Sequence, residues 1–225
     1  MFQIADAWKA AFPEGHAGVL VVRGAANPPQ HAGLDKKKSD LEAELRARFG
    51  GLDRPALLNL PALRAYDDYY RRFKKTYHIQ LQLESIVFKR KSIPSVAALV
   101  EAMFMAEIED LLLTAGHDLD VVRSPLTLDV AEGTEVYTLL RGDEQILKPG
   151  DMFIRDGEGP ISSVIYGPDR RTQIRPETRN AIFTAYAPPG IAGEAVEEHL
   201  QHILRNIKIF SPGVATEKME VSGGG

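Results

Sequence analysis

The sequence contains no cysteine and only one tryptophan among its 225 residues. The absence of cysteine excludes disulfides, thiolate metal sites and a cysteine nucleophile. No stretch reaches the roughly 18 consecutive apolar residues of a membrane-spanning helix. The N-terminal segment MFQIADAWKAAF also lacks the charged-then-apolar organisation of a secretory signal. We therefore expect a cytoplasmic protein that does not bind membranes.

The common catalytic signatures are missing as well. The chain has no G-x-S-x-G elbow, no P-loop, no H-E-x-x-H helix and no G-x-G-x-x-G turn, which excludes most easily recognised enzyme classes. His199 and His202 are three residues apart on a predicted helix, but a metal site there would need another ligand from a different element. We interpret both histidines as surface residues and expect neither a metal nor a cofactor.

Length and composition are those of a globular protein with one substantial core. Hydrophobic residues make up 44% and charged residues 26% of the chain, and the formal net charge is −4. Neither an internal repeat nor a low-complexity linker divides it, so we predict one domain over residues 1–213 and a flexible tail over residues 214–225. The negative net charge argues against a surface that binds nucleic acid throughout, but it leaves a local basic patch possible.

The spacing of apolar residues changes near residue 120, from a helical period to a strand-like one. This change predicts a mixed α/β protein with most helices in the first half. Helices are predicted over residues 1–12, 39–48, 61–75, 83–89, 95–116 and 192–209. Strands are predicted over residues 18–22, 126–130, 135–140, 151–155, 161–166 and 181–186.

The chain is organised around the predicted helix over residues 95–116. Pro94 keeps the preceding residue out of helical conformation, and Ser95 can accept a backbone N–H as the N-cap. Apolar residues dominate two adjacent faces, so the helix should be buried on most sides. Its acidic residues, including Glu101 and Glu107, indicate the side of the helix that faces solvent or a polar pocket.

Three polar residues, His117, Asp118 and Asp120, follow this helix in a predicted turn. A histidine beside carboxylates can act as a base or as a hydrogen-bonded binding group. The alternative is structural: His117 caps the helix and the aspartates form hydrogen bonds within the turn.

Seven basic residues form a second candidate site. Between Arg64 and Lys91 there are 8 basic and 3 acidic residues, a local balance of +5 in a chain whose net charge is −4. Lysine and arginine at such density can contact phosphates, although cations at a helix C-terminus are also favoured by the helix dipole alone. The candidate nucleic-acid-binding residues are Arg71, Arg72, Lys74, Lys75, Lys89, Arg90 and Lys91.

Several segments, in this order, resemble the B3/B4 domain of the phenylalanyl-tRNA synthetase β subunit, and in particular its free-standing versions. The resemblance covers about residues 60 to 190 and depends on the order and spacing of its segments. They are AYDDYYRRFKK, LESIVFKRKSIPSVAALVEAMF, GHDLD, GDMFIRDGEGPISSVIYGPD and RPETRNAIFTAYAPPG.

The resemblance implies a three-layer α/β (α+β) fold with an unusual β-sandwich flanked by helices. In the synthetase this domain hydrolyses tyrosine mischarged onto the phenylalanine tRNA, without a metal. The editing residues are replaced here: Met103 and Phe104 stand where the synthetase has a Thr-Asn pair, Ala115 at its histidine, and Thr184 near its glutamate. The glycine-rich pocket wall corresponds to the region of Tyr166, Gly167 and Pro168. Because no carboxylate or imidazole remains to pair with a phenol hydroxyl, tyrosine editing is not expected.

Two functions from different classes follow from the resemblance. The first is a protein that binds tRNA or aminoacyl-tRNA, in its catalytic form a trans-acting deacylase but not a complete tRNA ligase. Backbone N–H groups near Tyr166 and Gly167 would polarise the carbonyl, and His117 or Asp118 would hold a water. The second is a non-catalytic module that binds RNA or a small amino-acid-like ligand, such as a free amino acid. A purely structural protein that uses the exposed side of the last helix is a third alternative.

Overall fold

The computed structural model describes residues 2–223 of the chain. Within these residues there are seven helices and three β-sheets, so the prediction of a mixed α/β protein is confirmed. The helices are α1 (Asp6–Ala11), α2 (Ala32–Phe49), α3 (Arg54–Leu58), α4 (Pro61–Arg71), α5 (His78–Val87), α6 (Ala98–Asp110) and α7 (Gly193–Phe210).

The strands form two larger sheets and one small hairpin. The strands are β1 (Phe2–Ile4), β2 (His16–Arg23), β3 (Leu113–Asp118), β4 (Leu126–Val130), β5 (Val136–Thr138), β6 (Glu144–Ile146), β7 (Met152–Asp156), β8 (Gly159–Ser163), β9 (Gly167–Pro168), β10 (Ala181–Ala187) and β11 (Ala215–Gly223). The sheet orders are β1-β4-β7-β8-β9, β11-β2-β10-β3 and β5-β6. In the five-stranded sheet only the β1–β4 pair is parallel, and the four-stranded sheet is antiparallel throughout.

The four-stranded sheet is the middle of three layers. Side chains alternate between the two faces of a strand, and Gly18 on β2 faces α7 so closely that a Cβ there would lie 2.6 Å from Val196 Cγ1. On the opposite face Tyr186 of β10 is hydrogen-bonded to Ser162 of β8, so the five-stranded sheet covers that side. One buried apolar cluster contains side chains from all seven described helices and from both larger sheets.

Helix α4 connects the two larger sheets through its tyrosines. Tyr66 donates to the carbonyl of Tyr186 and accepts the N–H of Leu113, both in the four-stranded sheet. Tyr69 bonds to Asp151 and Met152 at the start of β7, and the Tyr70 hydroxyl donates to the carbonyl of Val164. The polar ends of these buried rings therefore complete hydrogen bonds in both sheets, as buried tyrosine hydroxyls generally do.

The central helix is shorter than predicted, and the segment after it is a strand. Helix α6 ends at Asp110 because Leu111 adopts a left-handed conformation with φ of 63°, a common way for a helix to end. Residues 113–118 then form β3 on the edge of the four-stranded sheet. The predicted helix end at Gly116, and with it the predicted turn at His117 and Asp118, is therefore wrong.

Both ends of the chain differ from the sequence-based predictions. Residues 2–4 pair with β4 as strand β1, so the N-terminal helix is confined to α1. Residues 215–223 pair with β2 along most of its length as strand β11, so the predicted flexible tail is wrong for this segment. Met1, Gly224 and Gly225 lie outside the described residues. Among the helices of the described chain, none combines the length and the apolar character needed to cross a membrane.

Candidate functional site

A cavity of about 240 Å³ lies beside β3, at the edge of the four-stranded sheet. Its walls come from α6, from β3, from the β8–β9 region and from the loop after β9. The volume is below the roughly 300–1,000 Å³ of drug-sized ligand pockets, so it suits an occupant the size of one amino acid. The lining residues that matter most here are Met103, Glu107, Thr114, Gly116, Gly167 and Ile174.

Strand β3 presents part of its backbone to this cavity, because β10 pairs with only one of its edges. The N–H of Thr114 donates to Glu107 Oε1 at 2.7 Å, and the N–H of Asp118 donates to the Thr172 carbonyl at 2.7 Å. Both bonds point away from β10. Backbone groups alternate in direction along an antiparallel strand, so Gly116, midway between these two residues, directs its N–H to the same side. A ligand carbonyl in the cavity could accept that N–H.

Glu107 brings a carboxyl group from α6 to the cavity wall. Its side chain is 3% exposed, and one of its oxygens accepts the Thr114 N–H. Burial raises the pKa of Glu107 to about 8, and the Thr114 hydrogen bond lowers it only in part. The carboxyl is therefore mainly protonated at neutral pH and can donate a hydrogen bond to an uncharged ligand.

Two exposed side chains, His78 and Leu140, are also part of the cavity lining. Gly167 forms part of the cavity wall, and the half-buried Tyr166 precedes it directly. The ammonium group of Lys75 lies 4.7 Å from the centre of the Tyr166 ring, a cation–π contact. The basic turn that follows helix α4, with Lys74 and Lys75, is thus connected to the wall of the cavity through one aromatic ring.

Two of the predicted substrate-binding residues, Met103 and Gly167, line the cavity. Phe104 instead packs against the hydrophobic core. Thr184 is 1% exposed and its hydroxyl donates to the carbonyl of Ala115.

Glu101, also predicted to bind substrate, is engaged elsewhere. Its carboxylate is 3% exposed and lies 2.9 Å from the ammonium of Lys38 on α2. Its other oxygen accepts the N–H of Val96 at 2.8 Å. Glu101 therefore fixes the start of α6 against α2, and it is not among the residues that line the cavity.

His117 is completely buried in β3, not exposed in a turn. The Thr172 hydroxyl donates to Asp169, so His117 must donate its Nδ1–H to Thr172 Oγ1, at 2.7 Å. This tautomer leaves Nε2 without a proton, and Nε2 has no hydrogen-bond partner among the described residues. Desolvation accordingly lowers the pKa of His117 to about 3, although Asp156 acts in the opposite direction and Arg171 adds to the decrease.

Both carboxylate oxygens of Asp118 accept hydrogen bonds from neighbouring residues of the fold. One oxygen accepts the hydroxyl of Thr178 at 2.5 Å and the other accepts the N–H of Asp120 at 3.0 Å. The bond from Asp120 is of the turn type that the alternative interpretation anticipated for the aspartates, whereas the bond from Thr178 connects two remote segments. Asp118 borders a separate surface depression with Arg171 and Glu177, outside the cavity.

The seven predicted nucleic-acid-binding residues occupy two separate places. Helix α5, whose ten residues span about 15 Å, separates the first group from the second. Arg71 pairs with Asp67 at 2.8 Å, and the Arg72 guanidinium lies over the rings of Phe12, Tyr69 and Phe73. Among these seven residues, the exposed cations that form neither a salt bridge nor a stack on several rings are therefore Lys74 and Lys75 in the first group and Lys89, Arg90 and Lys91 in the second.

Sequence patterns did not indicate one group of hydrogen-bonded residues beside the cavity. Thr114 Oγ1 lies 2.6 Å from His199 Nε2, and His199 Nδ1 lies 2.8 Å from Asp110 Oδ2. His199 is fully buried, so the prediction of a surface position for it is wrong, while His202 remains partly exposed. The three-residue spacing of the two histidines was visible in the sequence, but their shared partner Asp110 is almost ninety positions away.

The B3/4 domain family model matches residues 64–209 of the chain. The chain therefore belongs to the B3/4 domain family, and the fold predicted from the sequence segments is confirmed. No match is found among curated proteins.

One similar solved structure is the N-terminal fragment of the phenylalanyl-tRNA synthetase β-subunit from Pyrococcus horikoshii. It shares 13% identity with this chain at a TM-score of 0.51, and the match covers 99% of this chain and 54% of that fragment. The chain thus spans about half the length of the fragment it matches. At this identity the similarity establishes the fold alone.

Proposed function

We propose that this protein binds the aminoacyl end of a charged tRNA. The observation that carries the proposal is the amino-acid-sized cavity beside β3, whose wall adjoins the basic turn after α4 through Tyr166 and Lys75. The aminoacyl group would occupy the cavity, with its carbonyl on the Gly116 N–H. The phosphates would contact Lys74 and Lys75.

The polar groups of the cavity favour an uncharged occupant. Glu107, with its pKa raised to about 8, is mainly protonated at neutral pH, and the remaining wall includes the apolar side chains of Met103 and Ile174. A buried charged side chain in the ligand would need a charged partner there. An aminoacyl group with a neutral side chain meets this requirement, and its ester or amide carbonyl suits the backbone edge of β3.

The first experiment measures the affinity for charged and uncharged tRNA at several salt concentrations. Each phosphate contact contributes about 0.7 to 0.9 to the slope of log K against log salt. Replacing Lys74 and Lys75 with Gln should therefore reduce the magnitude of that slope by about 1 to 2. Lys36→Gln on α2, which also removes an exposed lysine charge, is the matched control and should leave the slope unchanged. An unchanged slope in the Lys74/Lys75 variant would remove the phosphate contacts from the proposal.

A second variant isolates the contribution of the aminoacyl group. A Cβ at position 116 would lie 2.9 Å from Ile174 Cδ1 and 3.1 Å from Met103 Sδ, so Gly116→Ala should reduce the space in the cavity. We expect charged tRNA to bind this variant no more tightly than uncharged tRNA, with an unchanged salt slope. If the preference for charged tRNA survives in Gly116→Ala, the aminoacyl group does not occupy this cavity.

A second candidate function is a module that binds a small amino-acid-like ligand without RNA. It is favoured by the contacts of Arg71 and Arg72, which are already engaged with Asp67 and with three aromatic rings. Titration with free amino acids and with 3′-aminoacyl-adenosines separates the two functions. Affinity for these small ligands equal to that for charged tRNA would favour the second function.

A further inference from the structure

Strand β11 forms one edge of the four-stranded sheet, and it pairs with β2 on one side only. Backbone groups of an antiparallel strand alternate in direction, so about half of the N–H and C=O groups of its nine residues point away from β2. Within residues 2–223 these outward groups have no backbone hydrogen-bond partner. Such a row of donors and acceptors is a template for pairing with another strand.

The other edges of the two larger sheets are covered or short. On β3 the N–H of Thr114 is bonded to Glu107. The N–H of Asp118 on the same edge is bonded to the carbonyl of Thr172. The five-stranded sheet ends in β1 and β9, which have three and two residues. Covering and shortening an edge both prevent pairing between chains, and β11 has neither protection.

The charges on β11 favour one way of pairing two copies of the strand. Lys218 and Glu220 lie on the same face, on either side of Met219. A two-fold axis through Met219 would place Lys218 of each copy opposite Glu220 of the other. An axis through Lys218 or through Glu220 would place like charges opposite each other, which is destabilising. The bulge of β11 ends before Lys218, so the ladder is regular from there to Gly223.

Helix α7 runs antiparallel to β11 and has nearly the same length. At the start of α7, a Cβ on Gly193 would lie 3.8 Å from Val221 Cγ1 of β11. A turn closed by the bond from the Val214 N–H to the Ser211 carbonyl connects the end of α7 to the start of β11. Eighteen helical residues span about 27 Å, and nine strand residues span about 30 Å. The middle of α7, near residues 201 and 202, therefore lies over Met219.

One flank of α7 is directed toward the β11 edge. His199, His202 and Asn206 are hydrogen-bonded to α6, and α6 lies on the β3 side of the sheet, where Glu107 contacts Thr114. Successive helical residues are about 100° apart, which defines the flank of α7 opposite α6. Its residues are Glu197, Gln201, Leu204 and Lys208.

This flank carries charges that have no partner in their own chain. Glu197, Gln201 and Lys208 are exposed, and Leu204 is half-buried. The ion pairs of α7 within residues 2–223 involve other side chains of the helix, namely Glu198, His199 and His202. An acidic residue thus lies near the start of the flank and a basic residue near its end.

The two-fold axis through Met219 also makes the two α7 flanks complementary. The helices of the two copies would run antiparallel, with Glu197 of each opposite Lys208 of the other. Leu204 of each would face Gln201 of the other. Both pairs have the same centre, between residues 202 and 203, about one residue from the part of α7 that lies over Met219. A single axis therefore matches the charges of both the strand and the helix.

The spacing between elements fits this arrangement. Paired strands are about 4.8 Å apart, so the axis would lie about 2.4 Å beyond β11. Helix α7 lies between β2 and β11, because Val196 is close to Gly18 and Gly193 is close to Val221. Its axis is then about 5 Å from the two-fold axis. The two copies of α7 would be about 10 Å apart, which is the distance between packed helices.

We propose that β11 and α7 form a self-association surface, whose partner is a second copy of this chain. The two four-stranded sheets join through β11 into one eight-stranded antiparallel sheet, and the paired α7 helices cover the junction on one face. The cavity beside β3 lies at the opposite edge of each sheet. Each half of the dimer therefore keeps its own cavity, and the inference does not depend on the proposed function.

Sedimentation equilibrium over a range of protein concentrations tests the proposal. The unmodified chain should approach twice its monomer mass as the concentration rises. Lys218→Glu and Glu220→Lys each place like charges opposite each other, and each should raise the dissociation constant of the dimer about tenfold. The double variant Lys218→Glu/Glu220→Lys restores opposite charges in the pairing centred on Met219, so it should recover the original dissociation constant.

The matched control is Lys36→Glu on α2, which also reverses a lysine in an exposed ion pair. We expect the dissociation constant of this variant to remain unchanged. The Lys218–Glu220 pair is at the surface, so its replacement should have little effect on the folding of the monomer. Thermal unfolding below the dissociation constant checks this. Hydrogen exchange gives a second measurement, since the amides of β11 should exchange more slowly in the dimer while those of β3 do not change.

Three outcomes would overturn the proposal. A chain that stays monomeric at every concentration leaves the β11 edge to a different partner. A dimer whose dissociation constant is unchanged in both Lys218→Glu and Glu220→Lys associates through another surface. Failure of the double variant to recover association would contradict the pairing centred on Met219. By contrast, loss of the preference for charged tRNA in an intact dimer would contradict only the proposed function.

Discussion

Replacing Lys38 with Met should lower the free energy of unfolding by about 3 to 5 kcal/mol, the cost of breaking a buried ion pair from one side. The side chains of Lys38 and Glu101 are 7% and 3% exposed, and their charged atoms lie 2.9 Å apart. Without Lys38 the Glu101 carboxylate would remain buried with no cation, and Ser95 Oγ would lose the hydrogen bond that Lys38 donates at 2.8 Å. Chemical denaturation at neutral pH gives the measurement.

A matched control for this prediction lies on the same helix. Lys36 forms an exposed i,i+4 pair with Asp40, so Lys36→Met should cost no more than about 0.5 kcal/mol. The double variant Lys38→Met/Glu101→Leu removes both charges and should be more stable than Lys38→Met alone. A loss below 1 kcal/mol in Lys38→Met would contradict the assigned burial of the pair.

This ion pair also bears on the candidate site, because Glu101 occupies the first turn of α6. The same helix carries Met103 and Glu107 into the cavity wall and ends at Asp110. A helix displaced from α2 would move these three groups together. We therefore expect Lys38→Met to reduce ligand binding as well as stability.

The second large expected effect is a pH dependence of the free energy of unfolding that comes from His117. Its pKa is lowered from 6.5 to about 3 in the folded protein, so between these values the unfolded chain binds a proton that the folded chain does not. The contribution of His117 to the free energy of unfolding must therefore fall as the pH decreases below 6.5, by about 1.4 kcal/mol per pH unit. His117→Asn keeps a polar group near Thr172 but cannot be protonated, so its stability should lack this contribution.

Glu107 provides a control, because its contribution to stability changes with pH in the opposite direction. Its pKa is raised from 4.5 to about 8, so between these values the folded chain holds a proton that the unfolded chain has released. The contribution of Glu107 to the free energy of unfolding therefore decreases as the pH rises, and the Glu107→Gln variant should lack that decrease. Denaturation curves of the three proteins between pH 4.5 and 8 give both stability differences. Parallel curves for His117→Asn and the unmodified chain would contradict the buried neutral state of His117.

Much of the fold could be predicted from local patterns. Strand β4 is found at the predicted residues 126–130, and β10 and α7 lie within one residue of their predicted bounds. In each case the apolar spacing and the flanking turn residues agree with the tertiary packing. The order of these segments was also sufficient to predict the B3/B4-type fold.

The bounds of α6 and β3 could not be predicted in the same way. The segment DLLLTAG is apolar enough to continue a buried helix or to form a buried strand, and periodicity does not separate these possibilities over so short a run. The left-handed turn at Leu111 and the pairing of β3 with β10 separate them. That pairing joins residues more than sixty positions apart, which no local pattern encodes.

By itself the sequence determined the mixed α/β class, the order of most elements, the family and the absence of cysteine chemistry. Only the tertiary structure decided which polar residues share a site. It buries His117 away from the cavity, binds Glu101 to Lys38, and brings Thr114, His199 and Asp110 within hydrogen-bonding distance. The physical reason is that burial and partner distance set the protonation state and reach of each polar group, and both depend on contacts between elements remote in the chain.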